Sequence, residues 1–304
     1  MDAGGPQRWT EHTVGEDEAG RTVQEILTGP MGISRRMIQR LTRARALRHN
    51  RKPAWLAAKV KAGDVVAARV AAGEKSGLAP VAMELAILHE DVEVLVADKP
   101  PFLLVHPTAP QHDRTLAHGV AAHLEARGAA AGAHAVHRID RDTSGVVLFA
   151  KTSHAHHRLD LQLRAGEIER EYLALVEGEV QGDAGTVDAP IARDPRNHSL
   201  RAVRPEGEAA VTHWAVEERL PGATLLRCRL ETGRTHQIRV HLAHLGHPVA
   251  GDRPYGASPA PPLRRQALHA ARIAFAQPRT GEPVVVESPL PSDILALLER
   301  LRAS

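Results

Sequence analysis

The sequence predicts an α+β protein: a small N-terminal module of helices and a β-hairpin, then a larger domain built on a mixed, largely antiparallel sheet. Three observations lead there. Beyond residue 80, short β-like runs are interrupted by helical segments at irregular intervals, which is not the regular alternation of a doubly wound fold. Positive charge is concentrated near the N-terminus: between Arg21 and Lys61 eleven Lys or Arg residues face one acid, Glu25, although the net charge of the chain is only +3. Finally, 304 residues with 43% apolar and 25% charged side chains suffice for a small unit and a larger one, each with its own core.

Residues 1–19 carry five acids against one arginine and read as a tail. The basic module is assigned to residues 20–72. In it "TVQEILTG" forms a short helix through Val23, Ile26 and Leu27, stopped by Gly29 and Pro30. In "GISRRMIQRLTRARAL", Ile33, Met37, Ile38 and Leu41 recur at helical spacing behind an N-cap at Ser34. Arg35, Arg36, Arg40 and Arg43 take the other positions, so the helix has one apolar and one cationic face. "ALRHNRKPAW" then turns at Asn50 just after Arg48, and "KAGDVVAARV" turns at Gly-Asp into a strand. Clustered cations suit a polyanion, since phosphates release condensed counterions on contact. A well-hydrated surface helix is the other reading of the same residues.

Residues 73–84 form a linker, and the larger domain spans 85–304. Strands are predicted at "MELAILHEDVEVLVADKP", "FLLVHP", "GVVLFAK", "REYLALVEGEV", "THWAVEERL", "TLLRCRL" and "ARIAFAQP", and helices at "TLAHGVAAHLEAR" and "QIRVHLAHLG".

The stretch "HRIDRDTSG", residues 137–145, holds two aspartates with different prospects. Asp142 precedes Thr143, Ser144 and Gly145, where a short carboxylate closes an Asx turn. Asp140 follows the apolar Ile139 and lacks that outlet, while Arg138 and Arg141 flank it, so a fixed carboxylate here is a candidate nucleophile or general base. An ion-paired surface loop is the bland alternative. A second constellation, "LETGRTHQIRVHLAHLGHPVAGD" over residues 230–252, opens on a Thr-Gly turn with Arg234 and His236 beside it. Local sequence does not say whether the two converge.

Four segments, "DKPPFLLVHP", "HRIDRDTSGVVLFAKT", "REYLALVEGEV" and "TGRTHQIRVHLAHLGHPVAGD", in this order, strongly resemble the RluA-type family of large-subunit ribosomal pseudouridine synthases over about residues 85–295. The module near residues 20–70 resembles the small RNA-binding domain shared with ribosomal protein S-four; Arg51, where many relatives carry glycine, departs from it. The resemblance implies a pseudouridine synthase fold and an isomerase that converts uridine in RNA, ribosomal RNA first and transfer RNA as the alternative, after flipping the target nucleotide. It puts the catalytic carboxylate at Asp140, an RNA-intercalating cation at Arg138, a uracil-stacking ring at Tyr172, the aspartate's arginine partner at Arg234 and an apolar pocket wall at Ile238. Lys99 and Pro100 match a structural motif. The RNA-tracking residues are then Arg35, Arg36, Arg40, Arg43 and Arg48.

Such a reaction needs no redox step or phosphate transfer, so no cofactor is expected. No metal is expected either: Cys228 is the single cysteine, and His241, His244 and His247 at i, i+3, i+6 do not face one point of a helix. No apolar run reaches the roughly 18 residues of a membrane span, and the acidic N-terminus lacks the apolar stretch of a secretory signal, so the expected location is the cytoplasm, without a membrane partner. Two rivals stand beside the enzyme: a non-catalytic RNA-binding or ribosome-assembly factor on the same fold, and a carboxylate-pair hydrolase using Asp252.

Overall fold

The computed structural model describes residues 8–70, 78–109, 111–128, 132–260 and 263–304. Its N-terminal part contains β1 (Arg8–Thr13), α1 (Val23–Thr28), α2 (Arg35–Arg43), β2 (Leu47–His49), β3 (Lys52–Pro53) and β4 (Val65–Val70), with the strands in the order β1-β4-β2-β3. The apolar helix positions are the ones that pack: Val23, Ile26, Leu27, Ile33, Met37, Ile38 and Leu41 form a core with Val66 and Ala68 of β4. Both helices begin on side-chain caps. Ser34 Oγ accepts from the Met37 amide at 3.2 Å, and Thr22 and Glu25 cap α1 reciprocally, which occupies the one acid of the basic block.

Two differences from the sequence reading stand out here. Residues 8–13, expected in a tail, pair antiparallel with β4, whose other side pairs with β2, so the added strand satisfies backbone groups on an edge that would otherwise stay open. At the β2–β3 turn both Asn50 (φ 49°) and Arg51 (φ 66°) are left-handed, the conformation of a type I′ hairpin. Arginine adopts it where glycine is usual, helped by Asn50, whose side chain bonds the Val65 amide and Asp64.

Residues 71–77, most of the expected linker, lie outside the described residues. The larger part comprises β5 (Ala86–Glu90), β6 (Val94–Lys99), α3 (Leu116–Ala126), β7 (His134–Ala135), β8 (Ser144–Ala150), α4 (Ser153–Arg164), β9 (Glu169–Glu177), β10 (Ala184–Asp188), β11 (Ile191–Arg193), β12 (Arg201–Val203), β13 (Val211–Leu220), β14 (Ala223–Leu230), α5 (Gln237–His244), β15 (Leu268–Ala276), β16 (Pro283–Glu287) and α6 (Ser292–Arg302). A ten-stranded sheet runs β10-β13-β14-β9-β15-β8-β6-β5, with β16 on β15 and β7 on β8. All of its pairings are antiparallel except β15 with β8, so the expected mixed, largely antiparallel sheet is what forms.

"FLLVHP" is not a strand. Phe102 is left-handed (φ 66°) and exposed, and the carbonyls of Leu104 and Val105 instead accept the first amides of α3. Those amides have no partner inside the helix, so the loop completes its N-terminus.

The parallel pairing positions the site. Every residue of β8 is buried, and Gly145 (φ 114°) lies against β15 so closely that a Cβ there would meet the Ala270 carbonyl oxygen at 2.1 Å. Only glycine fits, so the loop before β8 is set hard against the sheet centre. The two parts of the molecule touch where Arg158 of α4 donates to the Pro30 carbonyl at 2.8 Å.

Candidate active site

The loop between β7 and β8 is fastened from several sides. Thr143 N–H donates to the Asp140 carbonyl, closing a turn. Beneath it, the fully buried Lys99 donates through Nζ to the carbonyls of Arg141 (2.8 Å) and Pro100 (2.9 Å), with no carboxylate among the described residues bonded to it, and burial pushes its pKa down to about 7. Arg265 donates to the Asp142 carbonyl and Ser144 Oγ, and Gln266 to Thr143 Oγ1. The preceding residue His137 is buried, its Nε2 accepting the Leu148 amide; burial drives its pKa to about 3, so the ring is neutral.

Asp142 does not form the expected Asx turn. Its carboxylate takes Nε and Nη2 of its neighbour Arg141, at 2.8 and 3.2 Å, because the guanidinium offers a charge-assisted fork that backbone amides do not match.

Asp140 faces the other way and meets residues far along the chain. Oδ2 accepts from Nη1 of Arg239 at 3.0 Å, and Oδ1 is 4.0 Å from Nε2 of His236. Arg239 is buried, and its remaining nitrogens hold Asp252 bidentately, Nε–Oδ2 at 2.6 Å and Nη2–Oδ1 at 2.8 Å, with Asp252 only 1% exposed. The two carboxylates raise the pKa of Arg239 against the opposing effect of burial. The Tyr255 ring lies 4.9 Å from that guanidinium, and its hydroxyl, which accepts the Arg201 amide at 3.0 Å, bonds Nδ1 of His236 at 2.8 Å. Burial lowers the pKa of His236, which is the N-cap of α5 in a left-handed conformation (φ 59°). A non-glycine residue holding that conformation at a cleft is a recurrent mark of function.

The arginine expected on Asp140 is therefore misassigned. Arg234 pairs with Glu208 at 2.5 Å and donates to the Ala209 carbonyl at 3.0 Å. It sits in the turn before α5, organised by Gln237, whose Oε1 accepts the Arg234 amide, and it points out along the rim. Arg239, in the first turn of the helix, reaches back to the loop, as long helical side chains do. Arg138 does not contact Asp140 either; its Nη2 donates to Thr235 Oγ1 at 2.7 Å and its side chain is exposed.

A cleft of about 460 Å³ opens over Asp140, lined also by Arg138, Tyr172, Arg234 and Ile238, so the five expected residues share one cavity. Leu163, Leu230 and Leu268 add apolar wall. Tyr172, in β9, is 6% exposed, and among the described residues none bonds its hydroxyl; burial raises its pKa. A cleft residue the sequence reading missed is Arg170, two positions before Tyr172 on the same strand face, buried with its Nε unpartnered among the described residues. Period-two spacing from Tyr172 is the signal that could have found it. A smaller hollow of about 210 Å³, lined by His106 and Thr108, shares Arg138, Ile139, Asp140, Thr235 and His236 with the cleft, so these residues stand as the partition between the two.

On the N-terminal module, Arg35, Arg36 and Arg43 are exposed along α2, Arg40 lies back over Met37 Sδ, and the Arg48 guanidinium covers the Trp9 ring at 4.2 Å. Of the three histidines weighed as ligands, His241 is buried with its ring bonded to Thr212 Oγ1 and the Ala189 carbonyl, His247 is bonded to the Glu177 carbonyl, and His244 is exposed.

Comparison with known proteins matches this geometry to a family. The family model described as RNA pseudouridylate synthase matches residues 93–244, which include the Asp140 loop, Tyr172 and Arg239. A Bacillus subtilis protein named as an uncharacterized RNA pseudouridine synthase is 43% identical over 247 residues, covering 80% of this chain and 82% of the relative. The ribosomal large subunit pseudouridine synthase D of Xanthomonas campestris is 42% identical over 256 residues, covering 80% and 77%. Among solved structures, human RNA pseudouridylate synthase domain containing 1 superposes with a TM-score of 0.57 at 25% identity, over 73% of this chain and 96% of that one. Human RNA pseudouridylate synthase domain containing 4 has a TM-score of 0.60 at 23% identity over 71% and 93%, a likeness of fold. With relatives above 40% identity spanning most of both sequences, the chain belongs to the RluA-type RNA pseudouridine synthase family and is an isomerase.

Proposed function

We propose that this protein converts uridine to pseudouridine in large-subunit ribosomal RNA, with Asp140 as the catalytic carboxylate acting on a nucleotide flipped out of its stack. The observation that carries this reading is the Asp140 carboxylate held at 3.0 Å by the clamped Arg239 in a cleft that it shares with Tyr172 and Ile238. Relatives named ribosomal large subunit pseudouridine synthase D, from Xanthomonas campestris and Pasteurella multocida at 42% and 40% identity, favour the ribosomal substrate.

The reaction breaks the bond between the sugar and N1 of uracil, turns the base and rejoins it through C5. A stacked base cannot turn, so extrusion comes first, at a cost of a few kcal/mol. Arg138, exposed at the cleft and bonded to Thr235, is the cation that fills the vacated position. As the glycosidic bond breaks, positive charge grows on the sugar, and the Asp140 carboxylate stabilises it, traps it covalently or takes a sugar proton; the residues present serve each route. Arg239 aims the carboxylate, the Tyr172 ring stacks on the detached uracil, and Ile238 with the cleft leucines keeps water from the sugar. The N-terminal module is read as an RNA-binding unit similar to the domain of ribosomal protein S-four, with Arg35, Arg36, Arg40, Arg43 and Arg48 tracking phosphates.

The test is to express wild type and Asp140→Ala in a host lacking the gene and to map pseudouridine across ribosomal and transfer RNA. At least one large-subunit position should be modified by wild type and not by the variant. A site in transfer RNA alone moves the substrate, and no difference between the two proteins removes the enzymatic role of Asp140.

A further inference from the structure

We propose that Trp55 is a stacking platform for an unpaired RNA base, set on the cationic N-terminal module away from the catalytic cleft; the inference rests on the reading that this protein acts on RNA. Trp55 is 81% exposed, the most exposed large apolar side chain among the described residues. A single exposed apolar side chain is common on folded surfaces, so the case for a ligand rests on how this ring is held and on the charge of its segment.

The ring is not on a loose loop. The Ala54 amide donates to the Leu47 carbonyl at 3.1 Å, the Ala58 amide to Trp55 itself at 3.0 Å, and the Leu56 and Ala58 carbonyls accept from Gln24 and Val23 of α1 at 3.0 and 2.8 Å. Ala54, Leu56 and Ala58 pack onto the module core, while Trp55, Ala57 and Lys59 are exposed. A fixed backbone under an exposed ring presents an apolar face at little entropic cost on binding.

Charge identifies the occupant. Arg51, Lys52 and Lys59 are exposed within four positions of Trp55 along the chain, and among the described residues no carboxylate hydrogen-bonds to any of them, Lys59 acting on Glu25 only through its charge. Glu25, the single acid between Arg21 and Lys61, is turned to capping α1. Trp9 of the same module already has Arg48 on its face at 4.2 Å and Arg69 at 5.8 Å, whereas among the described residues no ring or cation stacks on Trp55. An open π-face carried on a cationic segment is the pairing that single-stranded nucleic acid takes, phosphates on the cations and a base on the ring. A duplex keeps its base faces stacked, so a loop, bulge or strand end must supply the base.

The test uses the full chain with a 12-nucleotide oligouridylate and a 12-base-pair RNA duplex. Oligouridylate should quench the tryptophan emission, and Trp55→Ala should abolish most of that quench and weaken oligouridylate binding about 5-fold or more. Trp55→Phe should retain most of the affinity, the slope of affinity against salt should stay as in wild type because no cation is removed, and duplex affinity should not change. Equal oligouridylate affinity for wild type and Trp55→Ala overturns the proposal, as does an equal loss on duplex and single strand; either result leaves the ring to a protein partner. Pseudouridine mapping with Asp140→Ala fails or succeeds independently of these measurements, so loss of the catalytic reading and loss of this site are distinguishable.

Discussion

Arg239 and Asp252 form a bidentate pair, at 2.6 and 2.8 Å, inside the protein, and the one guanidinium nitrogen left over is the one that reaches Asp140. A buried arginine whose orientation is fixed on two bonds can aim the third. Asp252→Ala frees Arg239 to swing and leaves its charge half-compensated, which costs about 3 kcal/mol of stability. Asp252→Asn keeps the shape and one acceptor and should cost less. In both, kcat should fall about 10-fold to 100-fold with KM for RNA nearly unchanged, read from single- and multiple-turnover assays; a change confined to KM would place Asp252 outside the aiming of Asp140.

Arg234 and Arg239 separate by the same logic. Arg234→Ala removes a rim cation paired with the 72%-exposed Glu208, so kcat should move little and any effect should appear in KM. Arg239→Ala should abolish turnover and lower the melting temperature, since it strands Asp252 in the interior. Equal kcat losses for the two variants would return Arg234 to the chemistry.

Tyr172 offers a clean division between ring and hydroxyl. No described residue bonds its hydroxyl, so Tyr172→Phe should change stability by less than about 0.5 kcal/mol. Tyr172→Leu removes the stacking surface and should cost activity about 100-fold or more, in line with a stacking contact and its alignment of the detached base. Any loss seen already in Tyr172→Phe measures what the hydroxyl does to substrate.

Gly145→Ala is expected to unfold the site. The left-handed φ disfavours any L side chain, and the new methyl would meet the Ala270 carbonyl at 2.1 Å, between strands that cannot both move. A destabilisation of about 3 kcal/mol or more follows from the combination of strain and overpacking, measurable by chemical denaturation.

Lys99 makes stability depend on pH in a definite direction. Its pKa is lowered from the ordinary 10.5 to about 7 by burial, so between these values the unfolded chain binds the proton and the folded one does not. Stability from this group therefore rises with pH above about 7, by at most about 1.4 kcal/mol per unit, and is lost as pH falls back through the folded value. Lys99→Met should flatten the rise in melting temperature between pH 7 and 9; a slope identical to wild type would mean that the lysine stays protonated on the carbonyls of Pro100 and Arg141.

How much of the site was legible in the sequence depends on the range of the interaction. Distinguishing Asp140 from Asp142 was within reach, since an apolar neighbour and a following Thr-Ser-Gly turn are local facts, although the local partner of Asp142 proved to be Arg141 and not backbone amides. The neighbours Arg138 and Arg141 suggested themselves as partners of Asp140, yet sequence adjacency in a tight turn throws alternate side chains to different sides, and each arginine found another acceptor. The true partner lies 99 residues away, inside a helix whose flanking Ile238 and Val240 are buried with it. An arginine between two apolar residues, followed by a Gly-Asp turn, was the available sign of a buried ion pair, because a charge at such a position must be compensated.

Taken by itself, the sequence determined the class of fold, the apolar faces of the first two helices, and the N-cap and cationic face of the second, because each depends on periodicity or on residues a few positions apart. Tertiary structure decided the rest: that residues 8–13 add a strand to the basic module, that "FLLVHP" caps a helix, and that Asp140 is held by Arg239, itself fixed by Asp252. These are choices among partners equally near in composition; the pairing of β8 with β15, at a glycine that admits no side chain, sets the Asp140 loop hard against the sheet, and a side chain from the distant helix α5 reaches it there.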